Sequence, residues 1–380
     1  MKRSLSIVTC FILLLSATAV FSQASTAIVH TAGVANITLN WTSIDNGELN
    51  GDAAAVIITT PNWNPPGSAG VYFPYNSGVW YDFNGKWAVF TQDYNLGMTD
   101  GASFNVWIAG DDVTAYVHTA TVGNLLQNVT YLDNPALNGN PNAIFFVDQN
   151  YGPLSVYNDQ SIGIWYDVFE SKWGIFNQDY NVNMPEGASF NVLIPSDDYG
   201  AFVHTASVDN ISSNWTYLDH PKLNGHPEAI ITITSNWNPP GSSGVYLDQP
   251  LGVWYDEFEG KWGIFNQDYN VNMVEGASFN VLVYQDLTSV AEVAAPGSLK
   301  AYPNPVGEQA TVSFELTESA DVNASVYDLE GRLVAVLADG TLGQGKHSLL
   351  WNAGDAPSGL YFCRLLSENG LQTIKLNHLR

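Results

Sequence analysis

The stretch GVWYDEFEGKWGIFNQDYNVNMVEGASFNVLV, residues 252–283, is present in this chain in three versions. Residues 78–108 read GVWYDFNGKWAVFTQDYNLGMTDGASFNVWI, and residues 163–194 read GIWYDVFESKWGIFNQDYNVNMPEGASFNVLI. In each version, aromatic and β-branched residues flank a short turn, which predicts a β-hairpin followed by a loop and a closing strand. A function carried by this region is therefore expected to involve repeated sites rather than one special residue.

The hairpin is predicted to serve as a scaffold. The predicted cross-strand pairs of the first copy are Asp82–Trp87, Trp80–Val89 and Tyr81–Ala88, with glycine replacing the alanine at positions 174 and 263. Aromatic side chains would then lie on both faces of the sheet, as is typical of a buried sheet. The aspartates of the three copies, Asp82, Asp167 and Asp256, would each need a buried hydrogen-bond partner.

The hairpins belong to repeats of nearly constant length. The tripeptide His-Thr-Ala begins at His30, His118 and His204, at intervals of 88 and 86 residues. Short apolar segments separated by turn residues, without helical periodicity, predict an all-β fold of three tandem small β-domains, sandwich or barrel-like. The predicted boundaries are 23–110, 111–196 and 197–286 for the repeats, 287–299 for a linker and 300–380 for another β-domain.

The N-terminus predicts an exported protein. Lys2 and Arg3 precede an apolar run from Ile7 to Val20, so residues 1–22 are interpreted as a signal peptide. Cys10 lies inside that segment, which leaves Cys363 alone and excludes an intramolecular disulfide bond in the mature chain. Packed cores must then supply the stability.

The repeats are strongly acidic. Between Gln23 and Leu287, four lysines stand against 27 aspartates and glutamates. This charge disfavours nucleic acids and anionic lipid surfaces as partners. Cations, neutral glycans and basic proteins remain as alternatives, as does a charge that serves solubility only.

The last eighty residues carry a set of short motifs. They include Tyr302-Pro303-Asn304-Pro305, Gly331-Arg332, Trp351 and Gly359-Leu360-Tyr361. In order and spacing this region resembles the type A C-terminal sorting domain of the type IX secretion system. The resemblance implies an immunoglobulin-like sandwich that directs the protein across the outer membrane, with the outer-membrane secretion machinery as partner. It also implies a cell-surface or extracellular location, with the tail commonly removed during export. The three repeats resemble repeats of bacterial surface proteins, which implies no mechanism.

Catalytic signatures are weak. No Gly-x-Ser-x-Gly or His-Glu-x-x-His motif accompanies His30, His118 or His204, so these are expected to be structural, hydrogen-bonded histidines. Six aspartates are candidates for glycosidase carboxylate pairs: Asp82, Asp93, Asp167, Asp179, Asp256 and Asp268. Three near-identical catalytic sites in one chain are unusual, whereas repeated binding sites gain avidity. We therefore expect a protein that is not an enzyme.

One loop suggests calcium. Oxygen-bearing side chains alternate along it at Asp179, Asn181 and Asn183, and again at Asp268, Asn270 and Asn272. This spacing resembles the start of a calcium loop, although the glycine and glutamate of an EF-hand are missing. No other cofactor is expected, and Asx-turns are the alternative explanation.

The aromatic loops are the best candidates for ligand binding. Trp63-Asn64 and Trp237-Asn238 each precede Pro-Pro-Gly, and the second repeat has Asn150-Tyr151 in this region. A flat ring beside an amide suits the C–H faces and hydroxyls of a sugar. Packing of these rings into the domain core is the alternative.

These observations favour an exported, non-catalytic binding or adhesion protein, with a polysaccharide bound through the repeated Trp/Asn/Pro loops, or another surface protein, as the candidate partner. A structural role in an extracellular layer is the second hypothesis, and a polysaccharide hydrolase is the third. No transmembrane segment is expected in the mature chain.

Overall fold

A computed structural model describes residues 23–152, 154–284, 299–316, 319–328, 332–354, 356–367 and 370–378. The predicted signal peptide and most of the predicted linker lie outside these ranges. The chain divides into two compact units, Met1–Gln285 and Asp286–Arg380. In the described residues of both units the structure is almost entirely β, which confirms the predicted fold class.

Each repeat contributes seven strands to the first unit. The first repeat has β1 (Thr26–Thr31), β2 (Ile37–Thr38), β3 (Trp41–Ser43), β4 (Ile57–Asn62), β5 (Ser77–Tyr81), β6 (Trp87–Thr91) and β7 (Ser103–Ile108). The second has β8 (Thr114–Thr119), β9 (Leu125–Leu126), β10 (Val129–Tyr131), β11 (Phe146–Asn150), β12 (Ile162–Asp167), β13 (Lys172–Asn177) and β14 (Ser189–Ile194). The third follows a 3-10 turn at Asp197–Tyr199 and has β15 (Phe202–Thr205), β16 (Ile211–Ser212), β17 (Trp215–Tyr217), β18 (Ile231–Ser235), β19 (Leu251–Asp256), β20 (Lys261–Asn266) and β21 (Ser278–Val283).

Each repeat forms two small sheets around a core of its own. In the first repeat, one sheet has the order β2-β3-β6-β5 and the other has the order β1-β7-β4. The core between them includes Ile57, Val79, Trp87 and Phe104. Equivalent side chains fill the cores of the second and third repeats. The predicted small β-domains are therefore present, one in each repeat.

The repeats also close into a ring. Strand β4 of the first repeat pairs in parallel with β19 of the third, and β11 of the second pairs in parallel with β5 of the first. A parallel bridge between Ile164 and Asn236 joins the second and third repeats. Backbone hydrogen bonds of 2.9 Å accompany the three contacts, from the amides of Trp63, Tyr151 and Trp237 to the carbonyls of Val253, Val79 and Ile164. Each repeat uses one face to contact a neighbour and another face to be contacted, in the order first to third, third to second and second to first. The three repeats therefore form a closed body with pseudo-threefold symmetry.

Buried asparagines hold this ring together. Asn105, Asn191 and Asn280 lie on the closing strands and have no exposed surface. Their side-chain amides donate to the carbonyls of Ile231, Ile57 and Phe145 in neighbouring repeats, at 2.9, 2.7 and 2.9 Å. Their Oδ1 atoms accept from Asn62, Asn150 and Asn236 of their own repeats. One asparagine of the repeated SFNV sequence thus links two repeats at each contact.

Glutamines of the QDYN sequence make a second set of links. The Oε1 atoms of Gln267, Gln92 and Gln178 accept backbone amides of Phe73, Asn158 and Leu247 across the three contacts, at 3.0 to 3.1 Å. Near the centre, side-chain oxygens of Thr60, Asp148 and Thr234 accept the amides of Ile233, Thr59 and Val147 from the next repeat. The asparagine of SFNV and the glutamine of QDYN, which recur in all three repeats, therefore form hydrogen bonds between neighbouring repeats.

The predicted hairpin register is wrong by one residue. Trp80 faces Ala88 and Tyr81 faces Trp87, while Asp167 and Asp256 face Lys172 and Lys261. The cause is the aspartate, whose Oδ1 accepts amides of the turn at 2.8 to 2.9 Å and adds a residue to the loop. The small residue consequently stands opposite the hairpin tryptophan. A Cβ on Gly263 would lie 2.6 Å from Nε1 of Trp254, so a larger residue there would have to displace this ring, whereas the first repeat accommodates Ala88 opposite Trp80.

The second unit is a β-sandwich. Its strands are β22 (Lys300–Tyr302), β23 (Gln309–Leu316), β24 (Ala320–Tyr327), β25 (Leu333–Leu342), β26 (Gly345–Asn352), β27 (Gly359–Ser367) and β28 (Gly370–His378). They form sheets of order β22-β23-β26 and β25-β24-β27-β28. Val312, Val326, Trp351 and Cys363 fill the core, and burial raises the pKa of the Cys363 thiol to about 12.

Replacing Asn191 with alanine is expected to destabilise the repeat unit by about 2–4 kcal/mol, because the Ile57 carbonyl and the Asn150 amide would lose their buried partner. Urea unfolding measures the change. Asn142→Ala, at an exposed position, is the control and should change stability by less than about 0.5 kcal/mol. Equal stability of the two variants would show that the asparagine does not link the repeats.

Candidate functional site

Each contact between repeats forms an aromatic pocket. The 1–3 pocket is lined by Trp63 and Tyr72 of the first repeat and by Asn214, Trp215, Trp254 and Phe265 of the third. The 2–1 pocket is lined by Tyr151 and Tyr157 of the second repeat and by Asn40, Trp41, Trp80 and Phe90 of the first. The lining of the 3–2 pocket includes Trp237 and Tyr246 of the third repeat and Asn128, Val129, Trp165 and Phe176 of the second. The three sets of residues are equivalent position by position.

The loop tryptophans are fixed from behind. Gly70 packs against the ring of Trp63, where a Cβ would lie 2.2 Å from a ring carbon, and Gly244 packs in the same way on Trp237. In the 1–3 pocket, Trp63 also meets Trp254 edge-on, at a centroid distance of 6.2 Å. Each loop ring is half-buried. The two alternatives for Trp63 and Trp237 are therefore not exclusive, because the rings are packed at a contact and also line a pocket.

Tyrosines form the outer edge of each pocket. Tyr72, Tyr157 and Tyr246 are exposed, and each lies near a further exposed tyrosine of the adjacent repeat. The centroid distances are 6.1 Å for Tyr72–Tyr269, 6.5 Å for Tyr94–Tyr157 and 6.2 Å for Tyr180–Tyr246. Both sides of each contact thus present rings to solvent. Such surfaces suit a ligand with flat apolar faces and a polar edge.

Polar atoms are sparse in the pockets. Asn40, Asn128 and Asn214 each donate Nδ2 to a backbone carbonyl at 2.8 to 3.0 Å, which fixes the amide in the wall. The indole Nε1 atoms of Trp63, Trp215, Trp237 and Trp254 have no hydrogen-bond partner among the described residues. A few fixed polar groups among rings are the usual composition of a small-molecule site.

Three asparagines that the sequence predicts as ligand contacts form hydrogen bonds within the protein. Asn64 donates Nδ2 to the Tyr255 carbonyl and accepts the Tyr255 amide, at 2.8 and 2.9 Å, and Asn238 binds Tyr166 in the same way. Asn150 corresponds to Asn62 rather than to Asn64, and it is buried. These side-chain amides bind the backbone of the neighbouring repeat or a residue of the repeat's own strands, so they act as structural links, and a role in ligand binding stays a prediction.

The interpretation of the hairpin as scaffold alone is also corrected. Trp80, Trp165 and Trp254 are half-buried and line the three pockets. Sequence reasoning missed them because the wrong register placed a bulky residue opposite each one. The small residues Ala88, Gly174 and Gly263, which leave room opposite each tryptophan, were the sequence signal that could have identified these rings. Tyr72, Tyr157 and Tyr246 were missed because they lie in loops whose sequences differ.

The histidines are structural. His30, His118 and His204 contact Thr42, Thr130 and Thr216 through Nε2 at 2.8 Å. Each threonine donates its hydroxyl to an asparagine, so the histidine must be the donor, in its neutral Nε2–H form. Burial lowers the pKa of all three histidines to about 4.

The candidate carboxylate pairs have local roles. Asp82, Asp167 and Asp256 are buried and organise the hairpin turns, and Asp167 and Asp256 also accept the hydroxyls of Tyr131 and Tyr217 at 2.7 Å. The buried aspartates therefore have the partners that the sequence required. Asp93, Asp179 and Asp268 each accept the amide two residues later, at 2.9 Å.

The calcium loops contain Asx-turns. Asp179 binds both the backbone and the side chain of Asn181, and Asp268 binds Asn270 in the same way. The backbone carbonyls of Asn183 and Asn272 accept hydrogen bonds from the side-chain amides of Asn177 and Asn266. Within the described residues, no group of three His, Cys, Asp or Glu side chains is placed to hold a metal. Calcium binding there stays a prediction.

The motifs of the second unit support its sandwich. Asn304 donates to the Lys375 carbonyl at 2.7 Å and accepts the Asn377 amide. Arg332 binds Asp328 at 2.7 Å, and Tyr361 donates to the Pro357 carbonyl and packs on Trp351. Tyr302, Pro303, Pro305 and Gly359 lie in or beside β22, β23 and β27, whereas Gly331 lies outside the described residues.

Comparison with known families accounts for both units. The model of the domain of unknown function DUF7452 matches residues 16–108, 84–182 and 166–283. The chain belongs to this family. A second model, the secretion system C-terminal sorting domain, matches residues 300–377, which confirms the predicted tail. This tail implies interaction with the type IX secretion machinery and export to the cell surface or the extracellular space. In the described part of the chain, no helix is long and apolar enough to cross a membrane.

Two solved structures match the chain at low similarity. A β-glucuronidase from Ruminococcus gnavus is 11% identical, with a TM-score of 0.17, and the match covers 89% of this chain and 43% of that one. PorZ, a surface component of the type IX secretion system of Porphyromonas gingivalis, is 12% identical, with a TM-score of 0.18, over 84% of this chain and 59% of that one. The chain thus spans about half the length of these proteins, and such scores support no functional argument. No curated protein matches the chain.

Acid is expected to destabilise the repeat unit through the histidines. Because their pKa is about 4 in the fold against 6.5 ordinarily, the unfolded chain binds more protons below pH 6.5. Each histidine should lower the free energy of unfolding by on the order of 2–3 kcal/mol as the pH falls from 6.5 to 4. Urea unfolding of the wild type and of a triple His→Gln variant across this range measures the effect. A triple variant with the same pH dependence as the wild type would contradict it.

Asp148 should act in the opposite direction. Burial raises its pKa to about 7, although Thr59 donates to the carboxylate twice. Between pH 3.8 and pH 7 the folded chain keeps a proton on Asp148 that the unfolded chain loses. The free energy of unfolding therefore falls as the pH rises through this range. Asp148→Thr, which restores the residue present at Thr60 and Thr234, is expected to raise the melting temperature at pH 8 and to have little effect at pH 4. A variant equally stabilised at both values would show that ionisation is not the cause.

Proposed function

We propose that the three DUF7452 repeats form a non-catalytic carbohydrate-binding module, which the sorting tail delivers to the cell surface or beyond. The observation that carries the proposal is the recurrence of one aromatic pocket at the contacts between repeats. A pocket built once could be a packing defect. Equivalent pockets built from equivalent positions, with loops of different sequence at their edges, have the form of a binding site whose specificity varies.

The chemistry of the walls favours a sugar ring. Two or more aromatic faces and edges meet in each pocket, and one asparagine amide is fixed in each wall. Pyranose rings have apolar C–H faces and a polar circumference, which match such walls. The pocket volumes, at most about 230 Å³, suit one ring of a longer chain rather than a whole oligosaccharide.

The negative charge of the repeats indicates which class of polysaccharide is the proposed ligand. Across the 2–1 contact, Asp159 lies near Asp93, and across the 3–2 contact, Asp248 lies near Asp179; burial and the neighbouring carboxylate raise the pKa of Asp159 and Asp248. These carboxylates accept hydrogen bonds from hydroxyl groups but repel anions. Neutral polysaccharides are therefore the proposed ligands, and uronic-acid polymers are not.

Retention in polysaccharide-containing native gels tests the proposal. The purified exported protein should be retarded by at least one neutral polymer among laminarin, mannan, xylan and hydroxyethylcellulose, and not by polygalacturonate. The double variant Tyr157→Ala/Tyr246→Ala should lose most of the retardation, because both rings are exposed at pocket edges and contribute little to the core.

Phe258→Ala is the matched control, since this ring is fully exposed at a hairpin tip and lines none of the three pockets. It should bind as the wild type does. No retardation by any neutral polymer would overturn the proposal and favour a structural role in an extracellular layer. Release of reducing sugar during incubation would favour a hydrolase instead.

A further inference from the structure

Of the six wall positions that the three pockets share, two differ in residue type, and the 3–2 pocket is lined by Leu126, Gln127 and Tyr131 as well. One position holds Trp63, Tyr151 or Trp237, and the facing position holds Trp215, Trp41 or Val129. The 1–3 pocket has tryptophan at both. Each of the other two has one smaller residue, Tyr151 in the 2–1 pocket and Val129 in the 3–2 pocket.

The volumes follow these differences. The 2–1 and 3–2 pockets each measure about 230 Å³, whereas the 1–3 pocket measures about 90 Å³. A protein cavity of about 150 Å³ holds a six-membered ring such as benzene. The two larger pockets therefore offer more space than such a cavity, and the 1–3 pocket offers less because Trp63 and Trp215 fill it from both sides.

The charged edge differs in the same way. The loop of Tyr157 continues to Asp159, and the loop of Tyr246 continues to Asp248, each near a carboxylate of the adjacent repeat. The corresponding residue in the loop of Tyr72 is Pro74, which offers no hydrogen-bond acceptor on its side chain. The 1–3 contact thus lacks one of the two carboxylates that lie near each other at the 2–1 and 3–2 contacts.

We infer that the module is bivalent: the 2–1 and 3–2 pockets bind one sugar ring each, and the 1–3 pocket is closed by its paired tryptophans. This inference rests on the proposed function. Because both sites belong to one closed ring of repeats, two segments of polysaccharide held together gain avidity without any flexible linker between the sites. Val129 and Tyr151 are the residues that determine which pockets are open.

Isothermal titration with cellohexaose, laminarihexaose, mannohexaose and xylohexaose, each tested singly, measures the number of sites. The wild type should bind two molecules of at least one of them. Val129→Trp should lower the number to one by closing the 3–2 pocket, and Trp215→Val should raise it to three by opening the 1–3 pocket. Val122→Trp, which adds a tryptophan at an exposed position outside the pockets, should leave it at two.

Tryptophan indole resonances report the same sites independently of stoichiometry. In ¹⁵N-labelled wild type, saturation with the same hexaose should shift the Trp237 and Trp165 signals, identified by substitution, and leave that of Trp63 unchanged. Melting curves establish that the variants fold. Three equal sites in the wild type, or two remaining in folded Val129→Trp, would overturn bivalency while leaving carbohydrate binding intact. Absence of binding to all four hexaoses, together with no retardation by any of the neutral polymers, would overturn both proposals, whereas retardation without two hexaose sites would overturn bivalency alone.

Discussion

The repeat unit depends on an amide that is buried at each contact between neighbours. Asn105, Asn191 and Asn280 are fully enclosed, and each connects a strand of its own repeat to a backbone carbonyl of the next. A buried amide without partners costs free energy comparable to a lost hydrogen bond or more. No repeat can supply both partners of its asparagine from its own residues, so the side-chain amide can be buried only where the neighbouring repeat provides the backbone carbonyl. Closure into a ring is what satisfies all three asparagines.

The pockets are a consequence of that closure. Each repeat offers one face carrying the loop ring, such as Trp63, and another carrying the hairpin tryptophan, such as Trp254. Since every repeat has both faces, every contact brings the same two sets of rings together. The constraint also explains which residues vary: links that must fit in all three contacts are repeated closely, whereas wall residues such as Val129 change and alter the space between the faces.

The sequence predicted much of this architecture. The three hairpins, the all-β class and the sorting tail follow from local patterns, and the need of Asp82, Asp167 and Asp256 for buried partners followed from their position among apolar residues. The hairpin register did not follow, because an Asx-turn at the aspartate lengthened the loop by one residue. Because of this one-residue shift, the sequence predicted the wrong cross-strand neighbours for Trp80 and Tyr81. The hairpin tryptophans were therefore not recognised as pocket residues.

By itself, the sequence determined the number of repeats, their strand content, the aromatic and acidic character of their loops and the export tail, since each of these depends on residues close together in the chain. Only the tertiary structure decided that the repeats close on one another, that Asn64 and Asn238 are links, and that Trp63, Tyr151 and Trp237 face the hairpin tryptophans of a different repeat. Those relations join residues some 70 to 190 positions apart. Their geometry depends on how three copies satisfy their buried amides together, and no local pattern specifies it.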